Sequence, residues 1–176
     1  MNPRLARSLR KLDEQLEHLM TEVQSWHPER RCFRPSGEAW SALDLLEHLR
    51  LTEGAVFATM RRNLGTRNRV TLRDRFRSAR VLGIMLLPTR LKVPAAVKPV
   101  LHPGAPKDLC ALRKEWSEDR RALTGFLESL SSTDQELGVF RHPFGGWTTP
   151  SGALLFLRSH LRHHRYQLAR LRRSSH

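Results

Sequence analysis

Two histidines, His160 and His164, lie four residues apart in a segment whose leucines, Leu157, Leu161, Leu168 and Leu171, recur at helical spacing. A step of about 100° per residue puts positions i and i+4 on one stripe of a helix. Arg158, Arg162, Arg165 and Arg172 fall on the opposite stripe. The arginines therefore take the water side, and the two imidazoles point inward with the leucines. Two neutral imidazoles aimed into an apolar interior call for a partner, and a metal ion uses both.

A third nitrogen is available from His48, at the border of the inner face of another amphipathic segment. His48, His160 and His164 together would complete most of a divalent site and leave a position for water or substrate. The competing reading is three histidines at the edge of the core, each hydrogen-bonded to backbone or a carboxylate. His163 is a rival for His164, because i, i+3 also shares a face, but it is expected on the side away from the leucines. Gln167 is placed to orient one ligand or a bound water. His142 and His102 each precede proline and so sit on constrained loops, where a role beside the site or in a turn is open. The chain has no Gly-rich phosphate loop, nucleophile elbow or HExxH motif.

Four long amphipathic helices are expected to position these residues. The first, residues 4–25, carries Leu5, Leu9, Leu12, Leu16, Leu19 and Val23 at spacings of four and three. The second is expected over about 42–61. Ser41 is its N-cap, Asp44 completes a short capping box, and Trp40 and Leu45 form a hydrophobic staple. The third is expected over 107–130, with Pro106 near its first turn, and the fourth follows Thr149 as cap and Pro150 at N1. Residues 26–39 and 131–148 read as connections. Residues 62–105 read as a long crossover with a short helix near 73–87, interrupted afterwards by prolines. The fold expected is all-α, a single domain over 1–176 built as a four-helix bundle with one long crossover.

Three segments of this chain resemble the DinB/YfiT-like superfamily of bacterial metal-binding four-helix bundles. They are Trp40-Ser41 with Leu45-Leu46-Glu47-His48-Leu49, then His142-Pro143-Phe144-Gly145 with Thr148-Thr149, and finally the run from His160 to Leu168. The resemblance implies that His48, His160 and His164 hold one divalent ion, zinc or nickel among others, with water in the remaining positions. Trp40, His142, His163 and Gln167 then become the residues expected around it. Implied activities include thiol transfer with a bacillithiol- or mycothiol-type cofactor, and related hydrolysis or isomerisation. Dimers are also implied. The crossover is more basic than the family's motif set.

Charge and composition bound the partners. There are 31 basic and 17 acidic residues, a net charge of +14. Residues 54–107 hold twelve basic side chains against one acid, Asp74, and no acid follows Glu136. Such a field attracts nucleic acid, anionic lipid or anionic small molecules, and the competing reading is a compositional bias that leaves a solvated arginine face. Beside a metal site, the crossover arginines are expected to guide an anionic thiol or other small substrate. The alternative is a basic binding module for nucleic acid or an acidic partner, its metal structural or absent, although no helix-turn-helix, RRM or zinc-finger pattern is present. Cys32 and Cys110 fit neither a disulfide framework nor a CxxC site, and the N-terminus lacks a signal-peptide core. A reducing cytoplasm is expected. No membrane partner is expected either, because the most apolar stretch, Val81 to Leu87, is too short to span a bilayer.

Overall fold

The computed structural model describes residues 1–37, 39–87, 101–104 and 108–174. Its long helices are α1 (Pro3–Gln24), α3 (Ala42–Asn63), α5 (Leu109–Ser129) and α6 (Pro150–Arg173). A short α2 (Pro28–Cys32) interrupts the first connection, and α4 (Leu72–Met85) is the helix of the crossover. Two short strands, β1 (Phe140–His142) and β2 (Gly146–Thr148), pair antiparallel before α6. The expected helices are present, their ends within two residues of those expected. The exceptions are α2 and the hairpin, which fall in segments read as connections. Pro106 lies outside the described residues, and Asp108 is the N-cap of α5.

Each bundle helix forms for a local reason that also orients it. All six expected apolar positions of α1 are buried, and the helix starts at Asn2, whose side chain accepts from Leu5 N. At α3 the capping box closes in both directions. Asp44 N donates to Ser41 Oγ at 3.1 Å, and Ser41 N donates to Asp44 Oδ2 at 2.8 Å. Arg34 adds a two-pronged ion pair to the same carboxylate at 2.8 Å per contact. Burial works against ionisation of Asp44, but the bonds from Ser41 and Arg34 outweigh it and hold its carboxyl below the usual range.

Contacts between elements define the order around the bundle. Helices α1 and α3 each pack on both α5 and α6. Arg120 reaches Asp13 on α1 and Glu53 on α3, Arg113 reaches Glu17, and Phe57 meets Phe126. These pairings make α5 antiparallel to α1 and parallel to α3. Two adjacent parallel helices cannot be joined by a tight turn, so the chain must return along the bundle between them. The long crossover, 64–108, follows from that geometry. Helix α4, capped by a Thr71–Asp74 box, lies on this return path and packs on α6 and β2.

Candidate metal centre

His48 lies seven residues beyond Ser41, the cap that sets where α3 begins, and faces α6 among Leu45, Leu49 and Thr52. Across from it, α6 presents His160 and His164. One ligand-capable atom from each of the three residues lies within 4.8 Å of the others. His48 and His164 are buried, and His160 keeps partial solvent access within a dense surround. The ring centroids of His48 stand 5.3 Å from His160 and 4.9 Å from His164. The three side chains singled out from spacing therefore meet in space.

Hydrogen bonds at the outer edges of the rings set their tautomers. His48 Nδ1 lies 2.7 Å from the backbone carbonyl of Leu101, and His164 Nδ1 lies 2.8 Å from Gln167 Oε1. A carbonyl or amide oxygen only accepts, so both Nδ1 atoms carry protons, leaving the lone pairs on Nε2. The Nε2 atoms of His160 and His164 approach to 3.0 Å. A proton on His160 Nε2 would satisfy that one contact and leave the His48 lone pair unused. A divalent cation would use all three. The donor set, three imidazoles without a carboxylate, suits zinc, nickel or copper rather than calcium or magnesium, and three protein ligands leave coordination positions open.

The surroundings keep these imidazoles neutral. Burial pushes the pKa of His48 down, only partly countered by the Leu101 carbonyl, with His102 adding to the depression. His164 is lowered to about 3, chiefly by burial and then by the field of His48. His160 is held well below the ordinary value by desolvation and by four neighbouring imidazoles. Neutral imidazole is the form that binds metals.

Aromatic rings wall the cluster. Trp40 stands 4.7 Å from the His48 ring, and Phe156 stacks on His160 at 5.8 Å with an interplanar angle of 13°. His142 also meets Phe156, its ring centroid 4.9 Å away. Its Nδ1 accepts from the backbone N–H groups of Phe144 and Gly145, so its proton sits on Nε2. Burial lowers His142 to about 4. His102 Nδ1 donates to the carbonyl of Pro103 at 2.8 Å, and its ring lies edge-on to Trp40.

One orientation departs from the sequence reading. His163, expected on the side away from the leucines, is 4% exposed, and its Nδ1 donates to the carbonyl of Met85 at 3.3 Å. Helix α4 covers that side of α6, so the buried sector of α6 is wider than a two-helix contact would make it. Periodicity within α6 cannot reveal a cover supplied from 78 positions away. The Leu101 carbonyl on His48 was missed for the same reason. Asp74 was also missed: its Oδ1 accepts from Trp147 N at 3.2 Å, tying α4 to the hairpin, and its capping-box pattern with Thr71 was the available signal.

The fold and site define a histidine-lined helical bundle. The family model for the DinB superfamily matches residues 6–168, and the chain belongs to that superfamily. Among solved structures it is similar to YfiT from Bacillus subtilis, described as a probable metal-dependent hydrolase with an unusual four-helix bundle topology. That match has 16% identity and a TM-score of 0.64, and covers 98% of this chain and 89% of the other. The likeness shows a shared fold. No curated protein matches the chain at a significant level.

Proposed function

We propose that this chain is a divalent-metal enzyme whose ion is held by His48, His160 and His164. The observation that carries the reading is the commitment of the His48 and His164 Nδ1 protons to Leu101 and Gln167, which frees the Nε2 lone pairs beside His160. Zinc or nickel fits the donor set. Such an ion supplies Lewis acidity, lowering the pKa of a bound thiol or water so that a nucleophile exists at neutral pH.

The chain's own residues contribute placement and exclusion. Leu101 and Gln167 orient the ligands, and Trp40 and Phe156 restrict water beside them. The reaction we favour is transfer or hydrolysis involving a low-molecular-weight thiol of the bacillithiol or mycothiol type. It is supported by superfamily membership and by a basic chain that favours an anionic substrate. The test is metal content of the natively purified protein by inductively coupled plasma mass spectrometry, beside a His160→Ala/His164→Ala variant. About one ion per chain, lost in the variant, supports the centre and directs a thiol-transfer screen. Equal metal in both proteins, or none in either after zinc and nickel are offered, ends the metal reading.

A further inference from the structure

Helix α4 carries apolar side chains on its outward face as well as on the face that packs. Asp74 and Met85 are its buried residues, Ser78 and Val81 on the same face are half-buried, and Leu82 beside them is half-buried too. Steps of about 100° per residue place Leu72, Phe76, Ala79 and Gly83 on the opposite, outermost line, continued by Leu87 in the turn that follows. Leu72 is 83% exposed, Phe76 67% and Leu87 52%. Arg73, Arg77 and Arg80 border this line on one side and Arg75 on the other, all exposed. A helix in a globular protein turns its apolar stripe toward the core; here a second apolar line crowns the surface and the arginines flank it.

We propose that the crest of α4 docks on an anionic lipid surface. Leu72, Phe76 and Leu87 would enter the boundary between headgroups and acyl chains, and the flanking arginines would meet lipid phosphates. An apolar crest bordered by cations is the pattern of a helix lying in a bilayer interface, and long arginine stems let the charge stay at headgroup level while the crest descends. Charge selects this occupant over a second copy of the chain. Residues 54–107 carry twelve basic side chains and one acid. That acid, Asp74, is buried in bonds to Thr71 and Trp147. Two copies meeting here would set arginine against arginine. Side chains this exposed form a ridge rather than a cleft, which suits a planar surface. The expectation of no membrane partner rests on span length, and no described helix is long and apolar enough to cross a membrane; an interfacial contact needs no such span. The inference stands apart from the metal reading.

The test is flotation of the full-length protein with phosphatidylcholine vesicles and with phosphatidylcholine/phosphatidylglycerol vesicles. The expected result is selective retention on the anionic vesicles. Leu72→Ser/Phe76→Ser should lower partitioning by about tenfold or more, the loss expected for two large apolar contacts, with thermal unfolding unchanged because both side chains are exposed. Arg73→Gln/Arg77→Gln/Arg80→Gln should lower it as well. Absence of retention on either vesicle overturns the proposal. So does retention that ignores Leu72→Ser/Phe76→Ser and is competed away by duplex DNA, which would assign the arginines to nucleic acid. A dimer seen by analytical ultracentrifugation and lost in Leu72→Ser/Phe76→Ser would assign the crest to a second copy and overturn it too.

Discussion

The side-chain oxygen of Gln167 accepts the Nδ1 proton of His164 at 2.8 Å, one helical turn along α6. That single bond decides which nitrogen of His164 faces His160. Partners of this kind commonly change metal affinity by about 10–100-fold when removed. Gln167→Ala is therefore expected to weaken metal binding by that order while leaving the helix content unchanged. Gln167→Glu, whose carboxylate also accepts the proton, is expected to retain or tighten binding. Competition with a chromophoric chelator measures both, and wild-type affinity in Gln167→Ala would remove Gln167 from the site.

Acid should destabilise the metal-free protein through its histidines. His164 and His142 titrate in the folded chain at about 3 and about 4, below the ordinary value of 6.5, mainly through burial. Below about pH 6.5 the unfolded chain takes up protons that the folded chain refuses, so unfolding becomes easier as pH falls toward those folded values. Above pH 6.5 the contribution is fully present. Urea midpoints of the chelator-treated protein should thus fall between pH 7.5 and pH 5, and fall less in His142→Gln, which lacks one of the titrating rings. A midpoint flat across that interval would contradict the buried, neutral state of these side chains.

How far the sequence carried the fold depended on whether each cause was local. The stripe of α1 and the capping box at Ser41 and Asp44 are written within a few residues, and both are present as read. The spacing of His160 and His164 was equally local, and resemblance to a family added weight to His48 as their neighbour. What was not legible came from distant segments. The Leu101 carbonyl that orients His48 is 53 positions away, and α4, which buries His163, belongs to a crossover whose path no periodicity describes. The parallel arrangement of α3 and α5 is likewise set by contacts across the chain, Glu53 with Arg120 and Phe57 with Phe126.

Arg120, with its own side chain 8% exposed, joins the buried Glu53 of α3 at 3.3 Å to the half-exposed Asp13 of α1. Burial raises the Glu53 carboxyl, and the Arg120 charge counters it. Removing one partner of such a pair leaves a buried charge and typically costs about 3–5 kcal/mol, whereas an apolar replacement of both can be close to neutral. Arg120→Leu should destabilise by that order in denaturant titrations. Arg120→Leu combined with Glu53→Leu should recover a large part of the loss. A double variant no more stable than Arg120→Leu would show that the pair contributes through packing rather than charge.

Gly146 is the residue that lets the hairpin close on α4. Its φ is +74°, and a Cβ there would stand 2.2 Å from Asp74 Oδ1, the atom that accepts from Trp147 N. Gly146→Ala therefore meets two separate obstacles, a backbone region that L-residues rarely occupy and a steric overlap with a capping carboxylate. We expect a loss of about 1–3 kcal/mol for a non-glycine residue in such a strained position, read as a lower thermal midpoint. Combining Gly146→Ala with Asp74→Ala removes the overlap but leaves the strain, so the double variant should lose less than the sum of the two single changes. Strict additivity would mean that Asp74 and Gly146 do not touch in solution, and with that the link between the crossover helix and the hairpin ahead of α6 would fail.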